Sequence, residues 1–181
     1  MRLAAIVEGD GEVAALPVLL RGWFSSLNLL KPFRVKRDAF LNQRDYRQRY
    51  LELARRLGAT RLLVLLDSND VCPKEYAPGL LAQLAQEAPD LSSSLVLACR
   101  EFEAWLLAGA DCLDLAAPPV DVEAVRGAKE EIRRQLGYYA PTVDQPRLAG
   151  QLVQRCQPEL LRQRSPSFDK FWRELMRLTS H

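Results

Sequence analysis

The run Leu62-Leu63-Val64-Leu65-Leu66 passes directly into Asp67-Ser68-Asn69-Asp70. An unbroken apolar run closed by an acidic turn reads as a strand buried on both faces of a parallel sheet, its C-terminal end opening into a loop. Leu3-Ala4-Ala5-Ile6-Val7, followed by Glu8-Gly9-Asp10-Gly11-Glu12, repeats the design. Between these strands, residues 13–24 place Leu16, Leu19, Leu20, Trp23 and Phe24 on one wide apolar face, predicting a crossover helix. Pro17 has to sit in or near its first turn, or kink it. The pattern continues with a short basic strand over 33–37 and a helix over 45–57 that stops at Gly58, a glycine C-cap. Arg47, Arg49, Arg55 and Arg56 fall mainly on its solvent side. A loop over 69–78, a helix over 78–86 and a strand over 94–98 complete a series of βαβ units. The expected fold is α/β, a Rossmann-like, mostly parallel sheet flanked by helices.

Beyond residue 110 the pattern becomes helical. Pro118-Pro119 breaks the chain; helices are expected over 127–136 and 146–156, with a linker over 138–146 between them. A last helix begins at Ser165-Pro166, serine as cap and proline at the first helical position, and packs through Phe168, Phe171, Trp172, Leu175 and Leu178. We read one domain over 1–181, with an α/β core over 1–110 and a mainly helical extension over 111–181 packed on it.

Composition narrows the function classes. With 181 residues, 48% apolar and 27% charged, the chain can bury one substantial core and is not a disordered polymer. No apolar stretch reaches the length of a membrane span. Acidic residues by position 8 leave no room for a signal peptide, so a cytoplasmic location is expected. Cys72, Cys99, Cys112 and Cys156 contain no CxxC pair, which argues against structural zinc and for separate, reduced thiols. The sole histidine is the terminal His181, which nearly excludes imidazole-dependent catalysis within one chain. Net charge is +2, but residues 61–120 are acidic and both flanking stretches are basic. That distribution suits an acidic metal pocket with a positive surround for phosphates, or simply a solvated surface.

Strand C-termini are where open α/β sheets bind ligands. Glu8, Asp67 and Asp70 are therefore the candidate catalytic carboxylates; with Asn69 they form a candidate site for Mg²⁺ or Mn²⁺, hard ions that take oxygen ligands. Equally, Asp67 and Asp70 can cap a loop or the next helix. Glu12, Glu101 and Glu103 are candidate supporting carboxylates, although Glu12 also suits a helix first turn. Glu101 and Glu103 diverge by about 200° if both are helical. Arg100, Lys129, Ser167 and Lys170 are candidate phosphate contacts, against surface salt bridges, solvated helix and capping as the plainer roles. Tyr138 and Tyr139 can stack on bases or pack inside. The Glu8–Gly11 turn lacks both the third glycine of a dinucleotide fingerprint and the GKS/T ending of a P-loop.

Three blocks, Val7-Glu8-Gly9-Asp10-Gly11-Glu12, Leu66-Asp67-Ser68-Asn69-Asp70-Val71-Cys72-Pro73 and Arg100-Glu101-Phe102-Glu103-Ala104-Trp105-Leu106, together resemble the bacterial family called domain of unknown function 4276, itself similar to Toprim domains. Lys129-Glu130, the run from Tyr139 to Asp144 and Ser165-Pro166-Ser167-Phe168 fit the same resemblance. Toprim domains of topoisomerases, primases and nucleases of the overcoming-lysogenisation type place a glutamate after the first strand and an Asp-x-Asp motif after a later one, binding divalent metal for phosphodiester chemistry. The resemblance implies the glutamate role for Glu8 and the first aspartate role for Asp67. Asn69 stands where the second aspartate is expected, with Asp70 beside it.

Metal-dependent phosphodiester hydrolysis on nucleic acid is the leading expectation, in a phage-defence setting that the resemblance alone implies. The alternative is a non-catalytic partner subunit of an ATPase-containing defence complex, with a small phosphohydrolase as a third class.

Overall fold

The computed structural model describes residues 2–180; the expectation for His181 lies outside them. Its centre is a five-stranded parallel sheet. Strand β1 (Arg2–Val7) leads into helix α1 (Asp10–Trp23), and the chain returns through two short strands, β2 (Asn28–Leu29) and β3 (Phe33–Arg34), both paired with β1. Helices α2 (Arg37–Asn42) and α3 (Arg44–Arg56) then carry it to β4 (Arg61–Asp67) on the other side of β1. Helix α4 (Pro73–Glu87) crosses to β5 (Ser92–Ala98), giving the order β2-β1-β4-β5.

The sheet is covered on both faces, which is why β1 and β4 read as continuous apolar runs. Alternate residues divide between two cores. Leu3, Ala5, Val7, Leu63 and Leu65 pack with α1 and the C-terminal helices, while Ala4, Ile6, Leu62, Val64 and Leu66 pack under α2, α3 and α4. On the first face lie α5 (Glu103–Ala108), a 3₁₀ turn (Ala110–Cys112), α6 (Ala128–Leu136), α7 (Pro141–Arg155), α8 (Pro158–Arg164) and α9 (Pro166–Thr179). Trp105 is buried against Phe102, Phe168 and Phe171, locking α5 to α9. Ser165 caps α9 as its sequence position predicts, accepting the Phe168 amide at 3.2 Å.

Several local expectations are corrected. The basic strand over 33–37 is only β3, because Lys36 already caps α2, a helix too short to show a periodic face. Helix α4 begins at Pro73 and α7 at Pro141, each with proline at its first position. The inner prolines Pro78 and Pro146 are carried inside those helices, so the expected boundaries fell one turn or more too late. Pro17 likewise lies inside α1, which starts at Asp10.

Arg47 is buried rather than solvent-facing, since its guanidinium holds Glu87 in two hydrogen bonds of 2.7 and 2.6 Å and the carbonyls of Phe40 and Leu41. The thiols are not all separate. A disulfide joins Cys112 to Cys156, where the 3₁₀ turn meets the C-terminal end of α7 and brings the two Cα atoms to 5.6 Å. Cys72 and Cys99 are free.

Candidate functional site

Sheet order fixes where a ligand can reach the backbone. From β1 the chain turns to β2 and β3 on one side, then to β4 on the other, so the connections part between β1 and β4. In an open α/β sheet that parting leaves a crevice beyond the C-terminal ends of the two strands. A cleft of about 370 Å³ occupies this place. The β1–α1 turn supplies Glu8, Gly9, Asp10, Gly11 and Glu12 to its wall, and β4 supplies Asp67. Glu101 and Glu103 reach it from the start of α5, Lys129 from α6, and Pro141, Thr142 and Gln145 from α7. Helices α1, α6 and α7 thus all turn their N-terminal ends toward it, which favours negative charge there.

The cleft gathers carboxylates from three distant segments. Asp67 accepts the Phe102 amide at 2.9 Å through Oδ1. Burial and the nearby carboxylates of Glu12, Glu103 and Glu8 hold its pKa well above the ordinary range, outweighing that hydrogen bond. Burial also raises Glu8, against the pull of the Arg37 guanidinium and the Asp67 amide. For Glu12, burial and the charge of Glu8 raise the pKa against the amides of Glu12 and Gly9 and the Lys129 ammonium. Glu103 is raised by burial too, although Gln145 donates to its Oε1 at 2.9 Å and the Tyr139 hydroxyl at 3.1 Å. Gathered this closely, these carboxylates oppose one another's charge, which favours the neutral form of each over the ionised one.

Three buried oxygens in this cleft have no hydrogen-bond partner: Glu8 Oε2, Glu12 Oε2 and Gln145 Oε1. All are acceptors, so what they lack is a cation or a donor. Two glycines make room for the last two. A Cβ at Gly9 would fall 2.2 Å from Glu12 Oε2, and one at Gly11 would fall 2.0 Å from Gln145 Oε1. The donor set, carboxylate oxygens plus an amide carbonyl, fits a hard divalent cation that keeps part of its water shell and takes one or two carboxylates. Among the described residues no group of three or more His, Cys, Asp or Glu side chains is arranged to hold a metal ion.

Of the residues expected at the site, the cleft brings together Glu8, Asp67, Glu12, Glu101, Glu103 and Lys129. Glu101 also accepts the Lys129 amide at 3.1 Å and so caps α6. The others lie elsewhere. Asp70 is turned outward and pairs with Arg100 at 3.2 Å and Arg126 at 3.4 Å. Asn69 is exposed and adopts a φ of 51°, tolerated by asparagine, while its amide donates to the Arg100 carbonyl. The neighbouring Arg100, at φ 60°, is tied back through its amide to Ser68 Oγ at 2.8 Å. Ser167 is interior and accepts the Trp105 indole N–H at 2.8 Å, and Lys170 pairs with Glu174 along α9. Tyr139 is buried against Glu103, whereas Tyr138 is exposed.

Two contributors were not singled out from the sequence. Arg37 donates from Nε to the Asp67 carbonyl at 2.9 Å, placing a largely buried positive charge behind Glu8. Gln145, 1% exposed, links α7 to Glu103 and faces Gly11. Arg37 stood in a visible basic run, but nothing in the sequence marked Gln145.

The fold and cleft define an α/β protein of the Rossmann-like kind, with an acidic crevice where its strand connections diverge. More particularly, the chain belongs to the family described as domain of unknown function (DUF4276), whose model matches residues 7–176. No curated protein and no solved structure gives a significant match. Among the described residues no helix is long and apolar enough to cross a membrane.

Proposed function

We propose that the chain is a metal-dependent phosphodiesterase acting on nucleic acid, a Toprim-like nuclease of the kind its motif resemblance implies. The observation that carries this reading is the meeting of partnerless acceptor oxygens on Glu8, Glu12 and Gln145 beside Asp67, whose charge three neighbouring carboxylates oppose. Glu8 and Asp67, with Glu12 adjacent, would hold Mg²⁺ or Mn²⁺. When bound, such an ion polarises a phosphate and lowers the pKa of a water.

The chain's own groups divide the remaining work. Glu8, half-buried at the end of β1, would accept the proton of the attacking oxygen at whichever carboxylate oxygen is left free of the ion. Lys129, the cation lining the cleft, offsets charge on the nonbridging phosphate oxygens. Arg37 steadies the end of β4 through the Asp67 carbonyl, and Gln145 with Tyr139 fixes Glu103 under α7.

Incubation of plasmid, single-stranded DNA and RNA with Mn²⁺ or Mg²⁺, against EDTA, tests the reading. Cleavage should require metal and fall at least a hundredfold in Glu8→Gln and Asp67→Asn. Absence of metal-dependent cleavage would leave the partner-subunit role as the better account.

A further inference from the structure

On the face of the sheet covered by α2, α3 and α4, a second hollow of about 390 Å³ is lined by Gln43, Arg44, Asp45, Tyr46 and Arg49. Its lining is net positive. Arg44 and Arg49 are exposed and, like the exposed Lys36, form no ion pair among the described residues, although most other arginines of the chain do. Asp45 is the one carboxylate in its lining.

The segment over 34–36 touches residues of both linings. Arg34, at the end of β3, pairs at 3.4 Å with Asp10, a residue of the cleft wall. The Lys36 amide donates to the Tyr46 hydroxyl at 3.1 Å, and the rings of Tyr46, Tyr50 and Phe33 pack in series behind it. Burial alone would raise the Tyr46 phenol, but the Lys36 amide, the Tyr50 hydroxyl and the charges of Lys36 and Arg34 bring it below its ordinary value. The same positive potential would attract a phosphate.

We infer that Arg34, Lys36, Arg44 and Arg49 form a track for the phosphodiester backbone of a nucleic acid strand, leading over the Tyr46 hollow to the acidic cleft. Lys36, Arg44 and Arg49, free of ion pairs among the described residues, with Arg34 held by Asp10 at the cleft wall, offer a polyanion favourable charge, whereas the cleft itself repels one unless its carboxylates are neutralised. The inference rests on the nuclease reading for its direction but not for its test.

Anisotropy of a fluorescein-labelled 20-nucleotide single strand and of its duplex, measured in EDTA at rising salt, separates the two. The wild-type protein should bind at least one of them. Arg44→Glu/Arg49→Glu should weaken binding at least tenfold at low salt and flatten the log–log salt dependence by about 1–2, as expected for two lost phosphate contacts. Arg44→Lys/Arg49→Lys should bind nearly as the wild type, and so should the charge-matched Arg133→Glu/Arg134→Glu on α6. Hydrolysis of bis(p-nitrophenyl) phosphate with Mn²⁺, which needs no track, should be unchanged in all of them and lost in Glu8→Gln. No binding by the wild type, equal binding by Arg44→Glu/Arg49→Glu, or equal loss in the α6 variant would overturn the track, whatever the small diester shows.

Discussion

Glu12 lies across Gly9: its carboxylate occupies the space that a Cβ at position 9 would need, 2.2 Å from Oε2. Gly9 has a φ of −106°, which any residue can adopt, so the glycine is required for room rather than for backbone freedom. Gly9→Ala should therefore fold normally while displacing the far end of a flexible side chain. We expect a stability loss within about 1 kcal/mol, from the poorer helix cap, and at least a tenfold loss of metal-dependent cleavage. Chemical denaturation and initial rates on the same preparations check both.

The raised carboxylates make stability depend on pH in a definite direction. A carboxyl whose folded pKa exceeds its unfolded value contributes stability below the unfolded pKa and loses it as pH rises through the folded one. For Glu8, Glu12, Asp67 and Glu103 the loss begins above about pH 4, the unfolded carboxylate range. Asp67→Asn keeps the acceptor for Phe102 and removes the charge that three neighbours oppose. Its melting temperature without metal should exceed the wild type's at pH 8 and converge with it near pH 4. Addition of Mn²⁺ should raise the wild-type Tm more at pH 8 than at pH 5.5, and raise that of Asp67→Asn much less.

The buried pair on the opposite face behaves in the reverse sense. The Arg47 hydrogen bonds hold Glu87 below the usual carboxylate range. That contribution is present above the unfolded pKa and disappears as pH falls through the folded one. Arg47→Ala strands Glu87 and two carbonyls in the α2–α3–α4 core and should cost about 3–5 kcal/mol in urea titrations at pH 7.

Alkylation of the unfolded, unreduced chain followed by mass spectrometry should mark Cys72 and Cys99 and leave Cys112 and Cys156 joined. Reduction should cost up to about 4 kcal/mol on the chain-entropy account of a loop spanning 44 residues.

The strands and the main carboxylates were legible because their signals are local. A parallel strand buried on both faces writes itself as an apolar run, and Glu8 and Asp67 follow such runs directly. What the sequence hid depends on partners far along the chain. Arg47 looks solvent-facing until α4 brings Glu87 against it, and Cys112 gains its partner only when α7 lies beside the 3₁₀ turn. Asp70 sits three residues from Asp67, yet the left-handed turn at Asn69 sends it outward to Arg100 and Arg126. Helix starts at Pro73 and Pro141 were missed because a second proline inside each helix gave the stronger breaking signal.

The most direct test is calorimetric titration of Mn²⁺ into the metal-free protein at pH 7.5, repeated in buffers of different ionisation enthalpy. We predict saturable binding with proton release in the wild type, weakened at least tenfold in Glu8→Gln and Asp67→Asn and unchanged in Asp70→Asn. Binding that ignores Glu8 and Asp67, or no binding at millimolar metal, would contradict the assignment of this cleft.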